Sequence, residues 1–306
     1  MASVFTLTTD AFLTFRNITN MLKDSAYLGL IALGMSFVII GGGIDLSAGG
    51  IACLVGIISV RLSVLGIPGI VIIPVAVLLG MLCGLFNSIL ITKVKLTEFV
   101  VTLAAGFVYS GLTLVFAFRE RGSIISVGIP NGSNYRAFGG NINGIHYITI
   151  IWIVLSIIAY MVLLKTRLGL YTYSIGSNPK SAVMSGVNTG KIKAIGYLIC
   201  GGCAGLAVVL QVALNGSSPL NIGSGYEFQS IAACVIGGIV LGGGKGDTVG
   251  ALIGSLFLIM LMNGLYKYGM ATAMEYILQG GIIVLVTAFD AIFNNIANKR
   301  LLTRPQ

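Results

Sequence analysis

Nine runs of mostly apolar residues, most of them close to the ~20 residues a helix needs to cross a bilayer, dominate this 306-residue chain. They are Ser25–Ile44, Leu46–Leu65, Gly69–Thr92, Phe99–Ala117, Ile145–Leu164, Ala194–Leu214, Gln229–Leu241, Val249–Leu265 and Tyr276–Phe293. No water-soluble surface can be built around them, because only 9% of the residues are charged where soluble domains carry roughly 25%. The expected fold is therefore all-α: a polytopic transmembrane helical bundle forming a single domain over residues 1–306. About 8–10 spans are expected, including a broken or re-entrant helix. Arg61 interrupts the second run, and Gln229–Leu241 is too short to cross comfortably, so it is the candidate for the re-entrant element.

The basic residues orient the bundle. Lys and Arg number 18 against 9 acids. In a soluble protein that excess would suggest nucleic acid; here it matches cytoplasmic loops enriched in positive charge, and no nucleic-acid partner is expected. The segment Lys165–Lys193 holds Lys165, Arg167, Lys180, Lys191 and Lys193 and no acid. Counting spans outward from it places Lys93, Lys95, Lys245, Lys299, Arg300 and Arg304 on the same inner side, 11 of the 18 basic residues. Residues 118–144, rich in Gly, Asn and Ser, then form an exterior loop, as do Gly216–Phe228 and Tyr266–Glu275. Nine spans with an inner C-terminus put the N-terminus outside. Either one span is re-entrant or a first helix is absent.

Few polar residues interrupt the spans. Asp45, in Gly41-Gly42-Gly43-Ile44-Asp45-Leu46-Ser47, sits between two apolar runs, where a carboxylate costs roughly 2.5–3.5 kcal/mol at the centre of a spanning helix. Two readings follow. Asp45 and Ser47 cap the next helix near the inner surface, or they mark a broken helix facing a transport pathway. Asn87, Gln211, Gln229 and Asn263 are buried amides that either bond between helices or line that pathway.

The glycine triplet recurs in Gly242-Gly243-Gly244-Lys245-Gly246-Asp247. In a chain with 43 glycines chance accounts for the echo, and no duplication is inferred. The same segment fails the phosphate-binding pattern, because Gly246 follows Lys245 and Ile239 stands where the first glycine belongs; a tight turn between spans is expected. Small residues four apart, at Gly80 and Gly84, Gly201 and Gly205, Gly238 and Gly242, and Gly250 and Gly254, suit close helix packing.

The inner loop, residues 175–193, carries the clearest local signal. Asn178 before Pro179 is a helix entry. A short helix Lys180–Ser185 follows, and Gly186 can end it in a left-handed conformation. Its Val183 and Met184, with Lys180 and Ser181, offer a surface for a cytoplasmic partner; the alternative is a solvated loop held inside by its charge.

The five cysteines all fall in apolar runs and read as packing residues, Cys200 and Cys203 included, rather than as a disulfide or redox set. His146 is the only histidine and Trp152 the only tryptophan, both near an expected outer interface. One histidine builds neither a metal cluster nor a catalytic constellation, so no catalytic residue, metal or cofactor is expected.

Taken in order, several motifs resemble the membrane-spanning permease of ribose-type ABC importers. They are Phe15-Arg16-Asn17-Ile18-Thr19-Asn20, Gly43-Ile44-Asp45-Leu46-Ser47, Thr166-Arg167-Leu168-Gly169, Ser185-Gly186-Val187-Asn188, Gly223-Ser224-Gly225-Tyr226-Glu227, Ile231-Ala232-Ala233 and Gly242-Gly243-Gly244-Lys245-Gly246. The resemblance implies a bacterial inner-membrane transport subunit for a monosaccharide or related solute, without an ATP site of its own. It implies three protein partners: a cytoplasmic ATP-binding subunit, an exterior sugar-binding protein and a second permease chain, identical or paralogous. Asn178, Pro179, Lys180, Ser181, Val183, Met184 and Gly186 would then form the coupling helix that docks on the ATPase. The family also carries a further helix before the position matching Phe12, which the first residues of this sequence do not provide. An ion-coupled secondary transporter, with Asp45 as its ion ligand, is the competing reading, and a passive channel a third.

Overall fold

A computed structural model describes residues 12–120, 123–125 and 128–267, with five single positions beyond them. Apart from those five positions, the ninth apolar run, 276–293, lies outside the described residues, as do the basic residues Lys299, Arg300 and Arg304.

Ten helices are seen among the described residues: α1 (Phe15–Ile40), α2 (Ala48–Val64), α3 (Gly69–Thr92), α4 (Glu98–Phe116), α5 (Tyr147–Lys165), α6 (Arg167–Ser177), α7 (Pro179–Met184), α8 (Thr189–Asn215), α9 (Tyr226–Ile236) and α10 (Thr248–Lys267). Six of them, α1, α3, α4, α5, α8 and α10, are long and apolar enough to cross a membrane, and α2 is a shorter apolar helix. The bundle alternates direction, so α6 and α7 share one end with the last turns of α1, α3 and α5 and the first turns of α4, α8 and α10.

The interior is built on α1 and α8. Both are largely buried, whereas α3, α4 and α5 expose most of their apolar side chains outward, as lipid-facing helices do. Between α3 and α8, and between α9 and α10, backbones approach closely at glycines. A Cβ added at Gly80 would sit 2.2 Å from the Gly201 carbonyl oxygen, and one at Gly84 would sit 2.1 Å from that of Tyr197. That zipper explains why α3 makes its most extensive contact with α8. Gly250 and Gly254 pack likewise on Gly237 and Ala233. Gly238 and Gly242 do not: they lie in the turn after α9, and an added Cβ at Gly238 would meet open space. The packing glycine there is Gly237.

Element boundaries also differ from expectation. α1 begins ten residues before Ser25, because Thr14 caps it with its side chain on the Asn17 amide; capping extends the helix through a polar first stretch that carries no apolar run. α6 forms within the basic segment 165–193, where a loop is expected. Thr166 caps it on the Gly169 amide, and it buries only Gly169, Thr172 and Ile175. α9, with 11 residues, spans only about 16 Å and cannot cross the bilayer.

The segment after α4 is ordered by short pieces: β1 paired with β2 (Phe118–Glu120 with Ser123–Ile125), a 3₁₀ turn (Asn134–Gly139) and a β3–β4 hairpin (Asn141–Ile142 with Ile145–His146). Tyr135 anchors it, donating its hydroxyl to the Val209 carbonyl at 2.6 Å. Arg61, the charge inside the second apolar run, sits in the last turn of α2. It donates to the carbonyls of Phe116 and Ala117 at the end of α4 and lies over the Phe118 ring at 4.7 Å. Trp152, in the second turn of α5, is 1% exposed, and its ring occupies the space over Gly29. All five cysteines are free.

Candidate functional site

The chain breaks between α1 and α2 at Gly41–Ser47. Gly42 takes a left-handed φ of 77°, which turns the chain, and Asp45 follows, fully buried. Its Oδ1 accepts from the Ser47 amide at 2.9 Å and the Ser47 hydroxyl at 2.6 Å. Asn87 on α3 donates to the Ser47 Oγ at 2.7 Å, and Tyr109 on α4 lies within bonding distance of both Asn87 Oδ1 (2.9 Å) and the Cys83 carbonyl (3.0 Å). Asp45, Ser47, Asn87 and Tyr109 thus form one polar chain across α2, α3 and α4 inside an apolar bundle. The Cys200 thiol on α8 adjoins the Asp45 carboxylate.

One turn nearer the end of the bundle that carries α6 and α7 lies a second cluster. Lys193 on α8 pairs with Glu98 on α4. The Tyr197 hydroxyl stands 3.1 Å from Glu98 Oε2 and 3.2 Å from the Ile44 carbonyl, which Thr102 also faces. The exposed carbonyl at the helix break is therefore held from two sides.

Gln211, Gln229 and Asn263 do not join these groups. Gln211 exchanges hydrogen bonds with the Tyr226 hydroxyl at 2.7 and 3.1 Å. Gln229 and Asn263 line a separate cavity of about 180 Å³ with Asp24 and Tyr266, and Asn263 also bonds Asn17 at 3.0 Å. The six polar candidates fall into three places: Asp45, Ser47 and Asn87 meet through hydrogen bonds, Gln229 and Asn263 share a cavity, and Gln211 stands apart.

At that same end, α7 has a built-in start and stop. The Asn178 side chain accepts from the Ser181 amide at 3.0 Å with Pro179 at the first helical position. Gly186, at φ 78°, closes the end while the Val187 amide reaches back to the Ala182 carbonyl at 3.0 Å. The helix ends at Met184, one residue earlier than expected. It buries Ala182 and presents Val183 and Met184 outward, 57% and 89% exposed. Beside it, Tyr173 of α6 donates to the Gly246 carbonyl at 2.7 Å. Burial raises this phenol above its ordinary value, with Asp247 adding to the shift, so it stays a donor.

The sequence alone gives Tyr109, Glu98 and Tyr197 no role, and gives Lys193 only a place among the basic residues of its loop. Glu98 and Lys193 carry one usable signal: each is a charge in the first turns of a long apolar helix, with opposite signs.

The chain matches the family described as branched-chain amino acid transport system / permease component over residues 17–287. It is 34% identical over 281 residues to the ribose import permease protein of Escherichia coli K12, covering 91% of this chain and 87% of that one. It is 36% identical over 282 residues to the ribose import permease protein of Bacillus subtilis 168 (92% and 86%), and 31% identical over 289 residues to a D-allose transport system permease protein of Escherichia coli (94% and 87%). No solved structure matches the chain. A match across nearly all the described bundle, with these identities over nine-tenths of the sequence, places this chain in the transport-system permease-component family.

Proposed function

We propose that the chain is the membrane-spanning permease subunit of an ATP-driven ABC importer that carries a monosaccharide inward across the bacterial inner membrane. The relatives named for ribose and allose support the solute class, and a ribose-like sugar is the first candidate. The partners are a cytoplasmic ATP-binding subunit, an exterior sugar-binding protein and a second permease chain.

The observation that carries the reading is α7: a capped, two-turn helix at the basic end of the bundle, with two apolar side chains turned out from it. Exposed Val183 and Met184 on a rigid element suit a protein groove better than water. In this reading ATP-driven closure of the ATPase pushes on Asn178–Gly186. The push passes through Val187 and Asn188 into the first turns of α8, where Lys193 holds Glu98 and Tyr197 faces the Ile44 carbonyl. The helix break above Asp45 is thereby connected to the docking helix by one rigid element.

Gly186→Arg is the test. A side chain at a left-handed position costs roughly 1–2 kcal/mol and the new bulk sits at the docking surface, yet an added Cβ at Gly186 meets no other atom within 4 Å, so the bundle still inserts. Uptake of labelled D-ribose, D-allose and D-galactose by the host cells is expected to collapse while membrane abundance holds. Undiminished uptake would exclude α7 as the coupling element.

A further inference from the structure

A cavity of about 540 Å³ opens between α2, α4 and the segment entering α9, inside the ~300–1,000 Å³ range of small-molecule sites. It lies at mid-depth, since α4 contributes its central turns, and its floor is Leu46, the residue after Asp45. Its polar lining is Ser110, Asn221, Ser224 and Glu227, with Phe107 and Phe228 beside them. Glycines shape it. A Cβ at Gly50 would sit 2.4 Å from the Gly106 carbonyl oxygen, so α2 and α4 touch there, and a Cβ at Gly49 would sit 1.9 Å from Glu227 Oε2. The carboxylate lies in the space that Gly49 leaves.

A carboxylate at this depth is costly against lipid, and such groups face water or a protein partner. Among the described residues no Lys or Arg pairs with Glu227. The Gly225 and Glu227 backbone amides at the start of α9 lie beside it, which leaves acceptor positions free on a group that has about four. The side chains of Ser110, Asn221 and Ser224 are exposed in the cavity. Together they offer hydroxyl and amide donors and acceptors, one fixed negative charge and two aromatic faces.

Resting on the import reading above, we propose that this cavity is the solute subsite of the pathway and takes an uncharged polyhydroxylated ring. Glu227 accepts from ring hydroxyls, the serines and Asn221 complete the hydrogen bonds, and Phe107 and Phe228 cover the ring's C–H faces. The unpaired carboxylate repels anionic sugars such as phosphates and uronates, because like charges in a low-dielectric cavity interact strongly.

Two measurements test it on the intact transporter in membrane vesicles. In the first, Ser110→Cys or, should that fail to accumulate, Ser224→Cys is labelled with a charged, water-borne thiol reagent, with the parent chain's labelling subtracted. Labelling is expected to proceed and to slow several-fold with at least one of D-ribose, D-allose and D-galactose, but not with D-ribose 5-phosphate or D-galacturonate. No labelling, no slowing, or equal slowing by the acidic sugars overturns the subsite. In the second, Glu227→Gln is expected to lower maximal sugar uptake about tenfold at normal membrane abundance, with partial recovery in Glu227→Asp; full uptake overturns the role of Glu227. If the parent transporter moves none of the three sugars while one of them still protects the cysteine, the import reading fails and the cavity assignment stands.

Discussion

Two glycine-rich breaks in this bundle use the same local grammar to different ends. Each follows a helix, α1 or α9; each turns through left-handed glycines, Gly42 in one and Gly243 in the other; and each delivers an aspartate to the start of the next helix. They touch. The Gly244 amide donates to the Ile40 carbonyl at 2.8 Å, and Gly42, Gly176 and Gly243 meet backbone to backbone. Asp247, half-buried, accepts the Gly250 amide at 2.8 Å, a conventional cap on α10. Asp45, fully buried, caps the Ser47 amide with one oxygen and through Ser47 reaches Asn87 and Tyr109 on two other helices. Capping accounts for Asp247 completely and for Asp45 only in part. Burial makes the difference, since a carboxylate cut off from water needs every available partner.

If the two breaks act as one junction, Gly176 holds it shut, and its replacement should have the largest effect. A Cβ there would lie 1.9 Å from the Ile40 carbonyl oxygen and 2.4 Å from the Gly244 nitrogen; both are backbone atoms that cannot rotate away. Gly176→Val is expected to cost about 3 kcal/mol or more, read as lost folded protein and a lower unfolding temperature in detergent. A normal unfolding temperature would show that the breaks move independently.

Asp45 comes next. Asp45→Ala leaves the Ser47 amide and hydroxyl buried without their acceptor, a loss of about 2 kcal/mol. Asp45→Asn keeps an acceptor oxygen and should cost under about 1 kcal/mol, lowering uptake modestly if the group is a structural cap. Complete loss of uptake at normal abundance would instead assign Asp45 to gating. Tyr109→Phe removes the far end of the polar chain for about 1 kcal/mol. Combined with Asp45→Asn it should depart from additivity by more than ~0.5 kcal/mol, although α4 and the break are distant in sequence. Strict additivity would dissolve the chain into separate bonds.

The same contrast marks what the sequence made legible. Long apolar runs announced the spans because a bilayer demands them, and Asn178, Pro179 and Gly186 announced α7 because caps are local. Thr14 and Thr166 are caps too, but they start helices whose first turns are polar or thinly buried, so no periodic run drew attention to α1's extension or to α6. The polar chain was half visible. Asp45, Ser47 and Asn87 are unusual in apolar surroundings, whereas Tyr109 and Tyr197 are ordinary interior aromatics until folding sets their hydroxyls against Asn87 and Ile44. The echo between the glycine triplets looked like chance in a glycine-rich chain. The contact between them depends on Gly176, more than sixty residues from either, and no pattern within one segment encodes such a meeting.

Asp247→Ala carries the smallest expected effect and the sharpest contrast. Its carboxylate serves one amide in a helix whose next residues are already tied down by Gly250 and Gly254 on α9. The loss should be about 1 kcal/mol, that of an N-cap, with uptake following membrane abundance and nothing more. Asp45 and Asp247 share no hydrogen-bond partner among the described residues, so the double variant Asp45→Asn, Asp247→Ala should be additive within ~0.5 kcal/mol. An excess would mean that the carboxylates sense each other through the Gly42–Gly176–Gly243 contact. In that case the junction transmits strain between the two breaks, and Asp247 is part of the moving parts rather than a passive cap.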